Sequence, residues 1–245
     1  MSEIIKTEAI VISKMDYRES SKIATFYTKD HGKLSAIIKG ARSKKSPVGV
    51  KIDLFNYLQL VVYKRNNRDL QLVTQVELNS YFPEIKTDLQ KLKYATAVLE
   101  LIQALTVEED VNPRLFKGVV RILELFNTSN EEPGVLLVKF ILFLLKEIGY
   151  EIRLDHCSVC NNPLPTERLP LYIFDRGIIC DDCSKNSLQS SIFPKELFYL
   201  IIGLRNNKNV TIQDKREVDN ILFFLEQYIK YHIADFKGIR SIHLY

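Results

Sequence analysis

The chain has 245 residues, 46% of them hydrophobic and 26% charged. At roughly 100–200 residues per domain this suggests one large or two modest domains, and the apolar share excludes a disordered, collagen-like or disulfide-stapled chain. Thirty-four basic against 30 acidic residues give +4 overall, but residues 1–82 hold 14 against 8, net +6, and residues 29–51 hold seven basic residues against Asp30 alone. Positive charge gathered in this way suits a polyanion-binding face.

Nine glycines are spread so that the closest two, Gly32 and Gly40, stand eight apart. A dinucleotide-binding loop needs glycines two and five apart, and a Walker loop needs two that are five apart, so that backbone N–H groups can approach phosphate. A P-loop ATPase and a typical Rossmann dehydrogenase are therefore excluded. Residues 1–8 have no basic stretch leading into an apolar run, so no secretory signal is read there. The most apolar run, 135–145, contains Lys139 and falls short of the about 20 residues a membrane span needs. A soluble, cytoplasmic protein is expected.

Residues 3–77 read as β-rich. Stretches 5–13, 21–28, 33–39, 53–63 and 69–77 are rich in Ile, Val, Leu, Tyr, Phe and Thr, with polar turns between. Asp30-His31-Gly32 and Asn66-Asn67 are the turn signals, and a long irregular segment, 40–51, separates strands three and four. Five short strands at this size predict a small barrel, of the OB type first and an SH3-like barrel second. After Phe82-Pro83 the apolar period lengthens. Ile85, Leu89, Leu92, Ala95, Leu99, Ile102 and Leu105 predict one helix of about six turns. Asn112-Pro113 supplies a cap and a first-turn proline for a helix to Asn127. Pro133 opens a third helix that ends before Gly149, and two more are predicted over 194–205 and 214–236. The expected fold class is α+β: an OB-type barrel over 1–82, then an α-helical domain over 83–245 with an inserted four-cysteine zinc ribbon at 155–190.

The strongest motif is Cys157-x-x-Cys160, nineteen residues, then Cys180-x-x-Cys183. Two residues within each pair let both sulfurs reach one tetrahedral ion, and the spacer is of zinc-ribbon length. Within it, 171–174 and 178–179 are expected to pair across Asp175-Arg176-Gly177. Four thiolates close the shell and leave no position for a catalytic water, so one structural Zn2+ is expected, with a rubredoxin-type iron site and a redox dithiol as the competing readings. The second motif is Lys39-Gly40-Ala41-Arg42-Ser43-Lys44-Lys45-Ser46-Pro47, which reads as a basic loop gripping phosphates or as a solvated surface loop. Tyr17, Phe26, Tyr27, Tyr57 and Tyr63 are candidates for stacking on bases or for filling the core. No Ser–His–Asp or Cys–His arrangement can be argued, and no enzyme is expected.

These residues resemble a known family. Glu8-Ala9-Ile10-Val11-Ile12, Asp16-Tyr17-Arg18-Glu19-Ser20-Ser21-Lys22, His31-Gly32-Lys33, Lys39-Gly40-Ala41-Arg42 and Lys44-Lys45-Ser46 are similar to the N-terminal domain of the RecO family of bacterial recombination mediators. Phe143-Leu144-Leu145 and Ile148-Gly149-Tyr150 before the first cysteine pair, and Gly177-Ile178-Ile179 before the second, extend the resemblance over the chain. The resemblance implies a nucleoid-associated protein that binds single- and double-stranded DNA and anneals complementary strands. It implies contact with the acidic tail of single-strand DNA-binding protein, and loading of RecA together with RecR. On that implication Lys39, Arg42, Lys44 and Lys45 bind phosphates, with Arg18, Lys33 and Lys51 assisting. Two other classes remain open at this point: a zinc-ribbon nucleic-acid-binding factor in transcription or RNA handling, and a metal-dependent nuclease.

Overall fold

The computed structural model describes residues 2–43, 46–65, 67–164, 171–174, 177–186, 191–193, 195–205 and 215–243. Five strands form a closed barrel: β1 (Ser2–Tyr17), β2 (Ser21–Thr28), β3 (Gly32–Ile38), β4 (Tyr57–Arg65) and β5 (Gln71–Ser80). Their order is β1-β2-β3-β5-β4, with β4 returning to β1, which is the OB arrangement. The one parallel junction joins β3 to β5 through Ala36–Gln71 and Ile37–Leu72.

One long strand makes the closure. The first half of β1 pairs with β4, from Ser2–Arg65 to Ile10–Tyr57, and its second half pairs with β2, from Ala9–Thr28 to Tyr17–Ser21. The register shifts between Val11 and Ser13, and the extra residue bends the strand from one partner to the other. Alternate side chains then fill the interior: Ala9, Val11, Ala24, Phe26, Leu34, Ala36, Ile38, Leu58, Leu60, Val62 and Val73 are all buried. The β2–β3 hairpin turns where expected. Gly32 has φ +62, and a Cβ there would lie 2.4 Å from the carbonyl oxygen of Asp110, so a side chain is excluded by both conformation and space.

The segment between β3 and β4, expected to be irregular, contains a short helix α1 (Pro47–Lys51) capped by Ser46, whose Oγ accepts from the Gly49 N–H at 3.2 Å. The expected six-turn helix after the barrel is two helices, α2 (Pro83–Thr87) and α3 (Leu89–Leu105). Asp88 between them is extended, and its carboxylate accepts from the N–H groups of Gln90 (2.8 Å) and Lys91 (3.0 Å). An aspartate is more stable as an N-cap than inside a helix, which interrupts the chain without disturbing its apolar period. Helix α4 (Pro113–Thr128) is capped as its sequence predicts, Asn112 Oδ1 accepting from Leu115 N–H at 2.8 Å.

Two compact units result, one of residues 1–133 with 239–245 and one of residues 134–238. In the second, α5 (Pro133–Glu147) buries most of its surface, and Gly149 (φ +85) ends it while the Tyr150 N–H reaches back to Leu145 O at 2.7 Å. The cysteine region follows, with strands β6 (Leu171–Phe174), β7 (Gly177–Ile179) and β8 (Ser191–Phe193) and helix α6 (Asp181–Lys185). β6 pairs with β7 as predicted, and also with β8, which the sequence reading does not anticipate. Helices α7 (Lys195–Arg205) and α8 (Lys215–His232) complete the unit. The predicted starts of these helices, Pro194 and Asp214, lie outside the described residues. Among the described residues no helix is long and apolar enough to cross a membrane.

Candidate metal centre and nucleic-acid interface

The four cysteines come together. The sulfurs of Cys157, Cys160, Cys180 and Cys183 all lie within 4.8 Å of one another. The Sγ atoms of Cys160 and Cys180 are 3.8 Å apart, close to the edge of a tetrahedron built from metal–sulfur bonds of about 2.3 Å. Backbone hydrogen bonds set this geometry. In the first knuckle Cys157 N–H donates to Asn162 O (2.8 Å) and Asn161 N–H to Cys157 O (2.9 Å), and Ser158 N–H ties the knuckle to Ile178 O of β7 (2.9 Å). Cys180 N–H also points at Cys157 Sγ, at 3.4 Å.

The electrostatics suit a cation. Burial alone would raise Cys157, but N–H groups of Cys160, Cys180 and Val159 outweigh it and bring the thiol to about 6. Burial, then the neighbouring sulfurs of Cys180, Cys160 and Cys157, push Cys183 up to about 12. Sulfurs this crowded resist joint ionisation, and a divalent ion among them removes that resistance. The donor set can therefore hold a metal ion. His156 turns to Asp155 instead, Nδ1 lying 3.1 Å from Oδ2. Among the described residues no other set of three or more His, Cys, Asp or Glu side chains converges, so the carboxylate cluster a nuclease would need is not formed there.

The basic residues of the barrel divide into three groups. Lys39 at the end of β3 and Arg18 in the β1–β2 turn are exposed. Arg42 lies beside Arg18: its guanidinium donates to the Arg18 carbonyl and pairs through Nε with Asp16 at 3.3 Å, while its backbone N–H donates to Ser20 O at 3.0 Å. The β1–β2 turn and the β3–α1 loop are thus tied together at one end of the barrel. Gly49 of α1 holds the loop in place, because a Cβ there would fall 1.9 Å from Ala41 O and force the two backbones apart.

The second group faces inward. Lys33 Nζ donates to Gln103 O (2.9 Å) and Thr106 O (2.7 Å) at the end of α3, where burial pulls its pKa below the usual lysine value. Lys51 Nζ donates to Val76 O at 3.0 Å. Both cations are engaged with backbone of the fold. Lys44 and Lys45 lie outside the described residues.

The third group is absent from the sequence reading. Arg65 and Arg68, bracketing the β4–β5 turn, line a recess with Lys39 and Tyr63. The signal was present as Arg65-Asn66-Asn67-Arg68, where the asparagines announce the turn and the flanking arginines charge it. Of the aromatic candidates, Phe26 and Tyr27 are fully buried, and Tyr27 and Tyr57 each pack 6.2 Å from Phe116 of α4. Tyr17 and Tyr63 instead lie under arginines, each ring centroid 5.1 Å from the guanidinium of Arg18 or Arg65.

Comparison with known proteins agrees with this arrangement. Residues 1–82 match the family model for the Recombination protein O N terminal and residues 86–238 that for the C terminal. The chain is 30% identical over 243 residues to the DNA repair protein RecO of Caldanaerobacter subterraneus subsp. tengcongensis, covering 96% of this chain and 95% of that protein. It is 29% identical to RecO of Syntrophomonas wolfei over 92% of this chain and 88% of that protein. With RecO of Chlorobium limicola it shares 34% over 161 residues, which is 66% of this chain and 62% of that one. An OB-ordered barrel, a helical region and a four-cysteine cluster in one chain, matched by both models, place it in the RecO family of DNA repair and recombination proteins.

Proposed function

We propose that this protein is a recombination mediator that acts by binding, without catalysis of its own. The barrel, 1–82, is its DNA-binding domain, gripping single and double strands by their phosphates. The observation that carries this reading is the junction of the β1–β2 hairpin turn with the β3–α1 connection, which sets Arg18 and Arg42 side by side at one end of the barrel. Phosphate contacts of this kind position a strand without reading its sequence. A basic face holds two complementary strands together by screening their repulsion, and base pairing then supplies the driving force for annealing.

The helical domain, 83–245, serves the protein partners: it receives the acidic C-terminal tail of single-strand DNA-binding protein, and with RecR it helps to load RecA. Its insert, 155–190, is held by one structural Zn2+ on Cys157, Cys160, Cys180 and Cys183. A zinc ion bound there supplies folding energy, and these four residues fix the two knuckles against β7.

Annealing of complementary oligonucleotides without ATP tests the reading. Strands coated with intact single-strand DNA-binding protein are expected to anneal much faster in the presence of this protein than strands coated with a tailless form. Equal rates would remove tail capture, and no acceleration of bare strands would remove the mediator role.

A further inference from the structure

The outside of the barrel carries an apolar row where an exposed face is expected to be polar. Residues paired across adjacent strands share a face, and Ile37, Leu72 and Tyr63 are paired in sequence across β3, β5 and β4. Their neighbours Ala36, Ile38, Val62 and Val73 point into the core, so the three lie outside, half-buried. Together with Leu70 they form the apolar part of a recess of about 300 Å³. Lys39, Arg65 and Arg68 surround it, and among the described residues no carboxylate lines it.

The recess is built on a fixed support. Gln71, 7% exposed, accepts from Arg65 N–H at 2.8 Å and donates to the carbonyls of Arg65 (3.2 Å) and Arg68. This pins the turn that carries both arginines. The Arg65 guanidinium lies 5.1 Å from the Tyr63 ring centroid and donates to the ring's hydroxyl at 3.3 Å, so ring and guanidinium are held beside each other.

We infer that this recess receives a single unpaired nucleotide, its base against the Tyr63 ring and the Arg65 guanidinium beside it and its phosphate among Lys39 and Arg68. The volume lies at the small end of ligand pockets, enough for one nucleotide and not for a run of them. A flat apolar surface within a cationic rim matches a base attached to its phosphate, and aromatic rings and guanidinium planes are the usual platforms for splayed bases. A base within a duplex is paired and stacked and cannot enter. The recess therefore separates single strands from duplexes, whereas the Arg18–Arg42 junction holds phosphates of either. The inference rests on the DNA-binding reading above.

Fluorescence anisotropy on the full chain tests it with three labelled probes of equal length: oligothymidine, a strand carrying a central run of abasic sites, and a duplex. Tyr63→Leu is expected to weaken oligothymidine binding about tenfold, within the range seen when a stacking residue is removed, and to leave the other two probes within about twofold. Arg68→Ala, at an exposed turn position where folding is not at stake, is expected to weaken both single strands about threefold and spare the duplex. Equal losses on single strand and duplex, or no loss in a folded Tyr63→Leu and in Arg68→Ala, would overturn the inference. Binding that depends on Arg18 and Arg42 but ignores Tyr63 and Arg68 removes the recess alone, whereas a wild-type protein that binds none of the probes removes the DNA-binding reading as well.

Discussion

Asp53 lies between α1 and β4, and its carboxylate takes two ammonium groups, Lys14 from β1 and Lys86 from α2, the latter at 2.7 Å. Burial alone would raise its pKa, but hydrogen bonds from Lys14 and then Lys86 outweigh it and hold the carboxyl at about 2. In the unfolded chain the group titrates near pH 4. Above that pH its contribution to stability is complete. As pH falls the unfolded chain takes the proton first, and the contribution is gone once pH passes below about 2. Because the side chain is 38% exposed, solvent screening reduces its worth to about 1 kcal/mol. Asp53→Asn is expected to lower stability by that amount at pH 7 and by almost nothing near pH 2, as read from urea midpoints, and a deficit independent of pH would contradict the ion-pair account. At this scale the cysteines were legible because their chemistry is local. Lys33 was not: its composition suits a phosphate ligand, yet its two carbonyl partners lie 70 and 73 residues away. Only the packing of the barrel on α3 reveals that its charge caps a helix end.

The elements whose signals are short-range were legible in the sequence. Asn112-Pro113 opened α4, Gly149 closed α5, and Asp30-His31-Gly32 turned the hairpin, each by a conformational preference within a few residues. The α2–α3 break was hidden because apolar spacing continues through Asp88, and the cap it forms competes with helix propagation by a small margin. Strand β8 was hidden because three residues carry no period, and it exists by pairing with β6. The proposed zinc ion would hold the cysteine insert together in the same way. Its strands are three or four residues long, too short for independent stability. Structural zinc sites contribute about 10–16 kcal/mol of apparent binding free energy. Purified protein is expected to hold one zinc equivalent, and Cys157→Ser or a strong chelator to lower it and unfold the insert, with the amides of Ser158 and Asn161, which donate to Ile178 O and Cys157 O, losing hydrogen-exchange protection. A metal-free protein with that protection intact would show that the knuckles stand without an ion.

At the scale of the molecule, the OB type of the barrel was legible in strand count and size, whereas the assortment of helices into compact units has no such signal in the sequence. The barrel shares its unit with α2, α3 and α4 and with the final residues, which return to it. Ile239 is 1% exposed, and both the N–H and the hydroxyl of Ser241 donate to Glu100 of α3, at 3.3 and 3.4 Å. Such a return joins residues 141 positions apart and has no signature in any window of sequence. Deleting residues from Ile239 onward is expected to cost about 3 kcal/mol, from one buried isoleucine and two charge-assisted hydrogen bonds, and to lower the melting temperature of the unit that carries the barrel. Unchanged melting would mean that the segment only rests on α3.

The account as a whole depends on phosphates being held at the end of the barrel where Arg18 and Arg42 meet. The direct measurement is the salt dependence of single-strand binding. Four to six neutralised phosphates predict a slope of log K against log salt of roughly −3 to −4, at about −0.7 per phosphate. Replacing Arg18 and Arg42 together by alanine should weaken binding to all sequences alike and flatten the slope by about 0.7 for each phosphate no longer neutralised. A double variant whose slope and affinity match the wild type would place the DNA elsewhere on the protein.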